Sequence, residues 1–271
     1  MPQRRNRATG IRRRLRSQTT MKLTPVIIAC LYATFSMRVQ AEPITATSST
    51  HGTQLIELYT SQGCSSCPPA ERWMSELATH PDLWTRYVPV VFHVDYWDRL
   101  GWKDPFASST YTRRQYAYAA YHRMRSVYTP GFFINGKEWK GFFDRKDLPA
   151  ADTLRNQLSG TWKNGKISIN LLSRTNKSMS HAAILGFGSQ TYVRRGENAG
   201  RRLTSDFVVL AYKKTRSKAK SPTMASIEFD MTKLATESSR LAFAIWSTEG
   251  SSPLPTAAAG AWFPKNSRKI K

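Results

Sequence analysis

Leu55-Ile56-Glu57-Leu58-Tyr59-Thr60-Ser61-Gln62-Gly63-Cys64-Ser65-Ser66-Cys67-Pro68-Pro69-Ala70 decides the reading of this chain. Leu55 to Thr60 has the composition of a strand, and Ser61-Gln62-Gly63 closes it as a turn. Beyond the cysteines, Ala70, Trp73, Met74 and Leu77 recur at helical spacing, with Glu71, Arg72 and Glu76 on the opposite face. The Cys-x-x-Cys pair therefore falls where a buried strand turns into a helix. A thiolate at a helix N-terminus is stabilised by unpaired amides and by the helix dipole, so its pKa falls below the ~8.5 of a free cysteine. Two intervening residues let the second thiol, one turn into the helix, reach back to the first. On this reading Cys64 is the exposed nucleophile and Cys67 the buried resolving thiol. Pro68 and Pro69 suit a first helical turn, where a missing amide donor costs nothing.

Three other readings compete for the pair. A structural disulfide closing so short a loop stabilises little, because the entropic gain grows with loop length. Zinc needs two further ligands, and no second Cys pair or close His pair supplies them. A Cu(I) site of two thiolates with a Met or His remains conceivable, although no Met-rich tract accompanies it.

Outward from the motif, Val88 to Val94 is a continuous apolar run of the kind a fully buried strand shows. Residues 95–107 are loop-like and aromatic, and Thr110 to Met124 reads as a helix carrying Arg113, Arg114 and Arg123 among tyrosines. Thr129-Pro130 precedes Gly131-Phe132-Phe133-Ile134, and Asn135-Gly136 then predicts a hairpin into Glu138-Trp139. Residues 145–158 read as a further helix. The succession predicts an α/β domain over residues 53–160, preceded by a small, polar linker at 42–52. Period-two alternation then recurs at Ile167/Ile169/Leu171, Ala183/Leu185/Phe187, Phe207/Val209/Ala211, Ile227/Phe229/Met231 and Leu241/Phe243/Ile245. It predicts a small antiparallel β-sandwich domain over residues 165–263.

The chain of 271 residues carries 41 Lys+Arg against 18 Asp+Glu, and 40% of it is hydrophobic. That composition excludes wholesale disorder and a multi-span membrane protein. Three cysteines exclude a disulfide-dense scaffold. Nine of the basic residues and no acid lie in residues 1–41, so the net charge of +23 falls to +14 for the remainder. From Met21 the chain has one Lys, an apolar run from Val26 to Met37 and Val39-Gln40-Ala41, which together describe a secretory signal behind a basic leader. The run is shorter than the about 20 residues that span a bilayer. Ile27-Ile28-Ala29-Cys30 offers a lipid-anchored alternative, and either route predicts a periplasmic or secreted protein. Whether translation starts at Met1 or Met21 stays open.

Weaker candidates surround the motif. Asp95, at the end of the strand after Cys67, is a candidate proton shuttle to the resolving thiol, or else caps the following turn. His93 reads as a core histidine rather than a ligand. Trp97, Trp102, Phe106 and Tyr111 either roof the dithiol or close a core edge. Arg194-Arg195, Arg201-Arg202 and the stretch from Lys213 to Lys220 read as solvated turns or as contacts for anionic envelope polymers and lipid head groups. Export argues against a nucleic-acid partner. Glu197-Asn198, between Gly196 and Gly200, reads equally as a polar functional loop or a turn.

Strand, helix-borne Cys64-x-x-Cys67, buried strand, and Thr129-Pro130 leading into a hairpin together resemble the thioredoxin superfamily. That resemblance implies a cis Thr129–Pro130 bond facing the dithiol, with backbone groups at Thr129 for an extended substrate peptide. Glu57 to Ala70, His93-Val94-Asp95-Tyr96-Trp97-Asp98 and Arg195-Gly196-Glu197-Asn198-Ala199-Gly200 resemble a bacterial family more closely. It is the secreted, thioredoxin-like DUF1223 type, whose function is uncharacterised, and the resemblance covers roughly residues 53–263. It implies a thiol–disulfide oxidoreductase or relay with Cys64 and Cys67 as catalytic pair, Thr129 and Pro130 as substrate-binding positions, and no organic cofactor. Its partners would be protein or small-molecule thiols and disulfides. Ser65-Ser66 stands where thioredoxin has Gly-Pro, which leaves the direction of electron flow open. A non-catalytic binding module and a copper-handling protein are the rival readings. Oligomeric state is not legible.

Overall fold

Leu55, Ile56, Leu58 and Tyr59 are fully buried, and the strand they form sits inside a long mixed sheet rather than at an edge. The computed structural model describes residues 42–49, 52–150, 156–173, 177–216, 223–234 and 238–264. In chain order the elements are β1 (Ile44–Thr47), β2 (Gln54–Thr60), α1 (Pro68–Glu76), β3 (Tyr87–His93), α2 (Ser109–His122), β4 (Gly131–Ile134) and β5 (Lys137–Glu138). Then come β6 (Gln157–Lys163), β7 (Lys166–Leu172), β8 (Ser178–Phe187), β9 (Ser189–Tyr192), β10 (Arg202–Ser205), β11 (Val208–Arg216), β12 (Thr223–Glu228), β13 (Arg240–Glu249) and β14 (Pro255–Trp262). The signal and Cys30 readings lie outside the described residues.

β2 runs parallel to β3, with Leu55 opposite Val88 and Thr60 opposite His93. On its other side it pairs antiparallel with β4, which turns into β5. Asn135 and Gly136 both hold positive φ (49° and 77°) at that turn, the backbone a two-residue hairpin requires. The Asn135 carboxamide oxygen also accepts from the Leu55 amide at 2.9 Å. Ser108 caps α2 by accepting from the Thr110 amide, and Arg123 ends that helix in the left-handed region.

The second edge of β3 is where the structure departs from two separate domains. A buried apolar strand cannot leave its edge amides unpaired without becoming a template for aggregation. Here β11 pairs it in parallel, with Val208 opposite Val91 and the Val91 amide donating to the Phe207 carbonyl. β8, β13 and β14 follow antiparallel, so one eight-stranded sheet runs β14-β13-β8-β11-β3-β2-β4-β5. The described residues between 42 and 264 belong to one compact unit, with no division between 160 and 165.

A second sheet, β1-β6-β7-β12, packs on one face of the extension. Ala182, Ile184, Phe243 and Ile245 face it, while Ala183, Leu185, Ala242 and Trp246 face the core shared with β2 and β3. β8 and β13 are thus buried on both faces, and the alternation read along them described one face of two.

Two further expectations are corrected. The 42–52 linker contains β1, whose Ala46 is buried and which pairs antiparallel with β6. No helix occupies the described part of 145–158. Residues 146–150 are irregular, with the Gln54 side chain donating to the Pro149 and Ala150 carbonyls, and β6 begins at Gln157. Leu158 and Trp162 point inward at period two there, which suits a half-buried strand.

One ion pair holds α2 to both halves of the sheet. Arg114 donates to Glu57 at 2.6 Å, Tyr118 donates to the same carboxylate, and the guanidinium lies 5.0 Å from the Trp246 ring centre on β13. Breaking a buried pair by removing one partner costs about 3–5 kcal/mol. Arg114→Met should therefore lower the unfolding free energy in chemical denaturation by about that much. The double variant Glu57→Leu/Arg114→Met should recover a large part of the loss; equal losses in both would show that the uncompensated charge is not the cause.

Candidate functional site

α1 opens on Pro68 and Pro69, so Cys67 is its N-cap residue rather than a residue inside the first turn. The Cys67 carbonyl accepts the Ala70 and Glu71 amides, and its own amide donates to the Cys64 carbonyl at 3.2 Å. The two cysteines form a disulfide with their Cα atoms 5.5 Å apart. The Ser66 hydroxyl lies 3.3 Å from the Cys64 sulfur. The Thr129–Pro130 bond is cis, and the Thr129 carbonyl oxygen lies 3.8 Å from the same sulfur. Thr129, just before β4 and its pairing with β2, is thus brought onto the disulfide, with Pro130 following it.

Both cysteines are 0% exposed, which corrects the expectation of an exposed Cys64. A part of the chain more than 130 residues away is tied to this loop. β9 and β10 form a two-stranded hairpin between β8 and β11, and its tip, residues 193–201, is hydrogen-bonded to the Cys64 loop. Glu197 accepts from the Ser65 amide at 2.9 Å. Asn198, itself fully buried, donates to the carbonyls of Gln62 (2.9 Å) and Cys64 (2.8 Å). Arg201 donates to the Asn198 carboxamide oxygen at 2.7 Å, fixing which way that group points. Gly196 and Gly200 hold φ near 80°, a backbone that other residues rarely adopt, and so allow the tight tip. Hydrogen bonds from Ser65 hold the Glu197 carboxyl below its ordinary pKa.

Aromatic residues brace the same loop. Trp97 donates to the Thr129 hydroxyl at 2.8 Å, and Trp102 to the Gln62 side-chain oxygen at 3.1 Å. Phe106 lies edge-on to His93, and Tyr111 packs into the core against Phe92. Of the four aromatics, Trp97 and Trp102 belong to the site.

Asp95 does not reach a sulfur by any hydrogen bond among the described residues. Its carboxylate accepts from the Thr112 hydroxyl at 2.5 Å, and its carbonyl accepts the Asp98 amide, which makes it a turn and helix-start residue. Two other buried acids bond to the segments that frame the cysteine loop. Glu71, expected on the polar face of α1, is buried and accepts from the hydroxyls of Thr60 and Ser205, both at 2.8 Å. Asp104 lies 2.7 Å from His93, accepts from the Gln62 amide at 2.8 Å, and so supports the loop that carries Cys64. Neither acid carried a distinguishing signal in the sequence, since each depends on partners distant along the chain. Asn198, legible only as part of a polar pair between glycines, likewise depends on partners distant along the chain.

Burial alone would lower the His93 pKa, but the Asp104 carboxylate, with Glu71 behind it, outweighs that and holds it above its ordinary value. Burial would raise Asp104, but His93 and three hydrogen bonds hold it below the ordinary carboxylate value. Arg202 donates to Gln190, whereas Arg194 and Arg195 are exposed; residues 217–220 of the other basic stretch lie outside the described residues. Among the described residues no group of three or more His, Cys, Asp or Glu side chains is placed to hold a metal ion.

The family model described as "Protein of unknown function (DUF1223)" matches residues 55–246, a span from β2 to the middle of β13 that takes in the cysteine loop and the hairpin tip. The chain belongs to the DUF1223 family. Two solved structures share the fold of this DUF1223 protein. The crystal structure of protein AGR_C_4864 from Agrobacterium tumefaciens is 24% identical, with 81% of this chain and 96% of that one covered at a TM-score of 0.54. HBP35 of Porphyromonas gingivalis is 11% identical, with 80% and 76% covered at a TM-score of 0.53. No curated protein matches.

The His93–Asp104 pair sets a pH dependence. His93, with its pKa raised, contributes stability that is complete below its ordinary value of about 6.5 and is lost as pH rises through the folded value. Asp104, with its pKa lowered, contributes stability present above the ordinary carboxylate value and lost as pH falls through the folded one. Thermal unfolding followed from about pH 5 to pH 9 should therefore decline on the alkaline side in the wild type and be flatter in His93→Gln. Parallel profiles for the two proteins would contradict the assignment.

Proposed function

We propose that this chain is an exported, thioredoxin-like thiol–disulfide oxidoreductase or relay that works through Cys64 and Cys67. The observation that supports it most is the disulfide at the start of α1 with the Thr129 carbonyl, before a cis proline, 3.8 Å from the Cys64 sulfur. A dithiol at a helix N-terminus lies at the positive end of the helix dipole, which favours a thiolate.

In the reducing direction the Cys64 thiolate attacks one sulfur of a substrate disulfide, forms a mixed disulfide and expels the other substrate sulfur as thiolate. The Cys67 thiolate then attacks the Cys64 sulfur, closes the internal disulfide and releases the second substrate thiolate. Two electrons pass to the substrate, and a dithiol or two thiols of the envelope, oxidised in turn to a disulfide, must return them. The oxidising direction is the same sequence reversed. Thr129 and Pro130 hold the substrate backbone beside the sulfur, and no organic cofactor takes part. Exposed arginines such as Arg194 and Arg195 offer contacts to anionic envelope components.

The burial of both sulfurs specifically favours a second reading, a binding module that keeps the disulfide closed. For exchange to occur, the tip carrying Glu197 and Asn198 must lift.

Reduction of insulin disulfides by the purified, dithiothreitol-primed chain, abolished in Cys64→Ser, is the expected result. Equal inertness of wild type and variant would leave the binding module. Uncovering the loop in Glu197→Ala/Asn198→Ala removes hydrogen bonds worth about 0.5–1.5 kcal/mol each, so alkylation of reduced Cys64 should accelerate roughly tenfold. An unchanged rate would show that the tip does not limit access.

A further inference from the structure

A second concave site lies away from the disulfide, where α2 crosses the extension of the long sheet. A cavity of about 410 Å³ opens between the first turns of α2, the α2-facing side of β8, β11 and β13, and the turn at 250–253. That volume falls among small-ligand pockets, which run about 300–1,000 Å³.

Its charge is one-sided. Arg113, Arg114 and Lys214 line it, and no Asp or Glu does. Arg114 is matched by Glu57 from below. Arg113 donates only to the hydroxyls of Ser109 and Thr110, and neither it nor Lys214 is paired with a carboxylate among the described residues. Both are exposed at the rim of the cavity.

The floor is rigid and aromatic. The strand register sets Lys214 beside His181 and His181 beside Trp246, in one row across three strands. His181 stacks on Trp246 at 5.2 Å and on Tyr212 at 6.0 Å. Its ring nitrogens are held by the hydroxyls of Tyr212 (2.7 Å) and Thr248 (3.1 Å). Burial, then the charges of Arg114 and Lys214, push the His181 pKa well below its ordinary value, so the floor stays neutral and the positive charge sits at the rim. Met179, Ala117 and Pro253 add apolar wall.

We propose that this pocket binds a small organic anion, with a carboxylate or phosphate-monoester head held by Arg113 and Lys214 and a short apolar body against the Tyr212 and Met179 wall. Cationic donors at the rim supply charge-assisted hydrogen bonds to the head, and the ring-lined floor takes up the body. The site lies between α2 and the β8, β11 and β13 extension of the sheet and is independent of the thiol chemistry proposed above.

Isothermal titration of the oxidised full chain tests it, with phenyl phosphate, benzoate, inorganic phosphate and benzyl alcohol as probes. Saturable one-site binding of phenyl phosphate or benzoate is expected, the tighter of the two naming the head group. Inorganic phosphate and benzyl alcohol should each bind more weakly. Arg113→Gln/Lys214→Gln, two exposed positions whose loss should leave thermal unfolding unchanged, should weaken binding roughly tenfold or more, as loss of charge-assisted contacts does. Arg72→Gln/Arg125→Gln removes the same charge at two exposed positions elsewhere and should leave binding unaltered. Absence of saturable binding, equal weakening by both double variants, or inorganic phosphate binding as tightly as phenyl phosphate would each overturn the proposal.

Discussion

The Asn198 carboxamide is the constraint on which the rest of the site depends. It is fully buried, and its three hydrogen bonds run to Gln62, Cys64 and Arg201. A buried amide left unsatisfied costs about 1–3 kcal/mol, so this group either sits on the cysteine loop or destabilises the fold. Its position in turn requires the β9–β10 hairpin to reach across from the C-terminal half, which requires β8 and β11 to be anchored on the same sheet as β2 and β3. The pairing of β11 with β3 supplies that anchor.

The C-terminal half is therefore part of the site rather than an appendage. Ser205, at the end of β10, completes the bonding of Glu71 in α1, and Glu57 in β2 is held by an arginine that also lies against Trp246 of β13. The Ser205–Glu71 hydrogen bond and the Arg114–Trp246 contact cross the boundary that a two-domain division would draw. Separation of the halves would cost Glu71 one of its two hydroxyl partners, a tie added to apolar contact.

What was legible in the sequence was local. Cys64-x-x-Cys67 between a strand and a helix, Asn135-Gly136 between two apolar runs, and Pro68-Pro69 at a helix start each depend on neighbours within a few residues. Glu197 and Asn198 were visible only as a polar pair between glycines, because their meaning lies in partners about 135 residues earlier. Glu71 looked solvated because helical spacing cannot show that Ser205 arrives over it. β8 and β13 showed one alternating face because alanines such as Ala182 and Ala244 give little contrast to a strand buried on both sides. Asp95 stood where a shuttle would be expected and turned out to hold Thr112 instead.

The central claim is that a fully buried disulfide, in a loop hydrogen-bonded to the protein's own hairpin, is nonetheless an exchangeable pair. Its reduction potential, measured by equilibrating the folded chain in defined thiol–disulfide buffers and trapping free thiols, tests this most directly. Exchange-competent pairs lie between about −120 and −270 mV, and structural disulfides below about −300 mV. A single two-electron midpoint inside the first range is the result expected here. A midpoint below about −300 mV, or reduction seen only once the chain unfolds, would contradict it and mark Cys64–Cys67 as a structural bond.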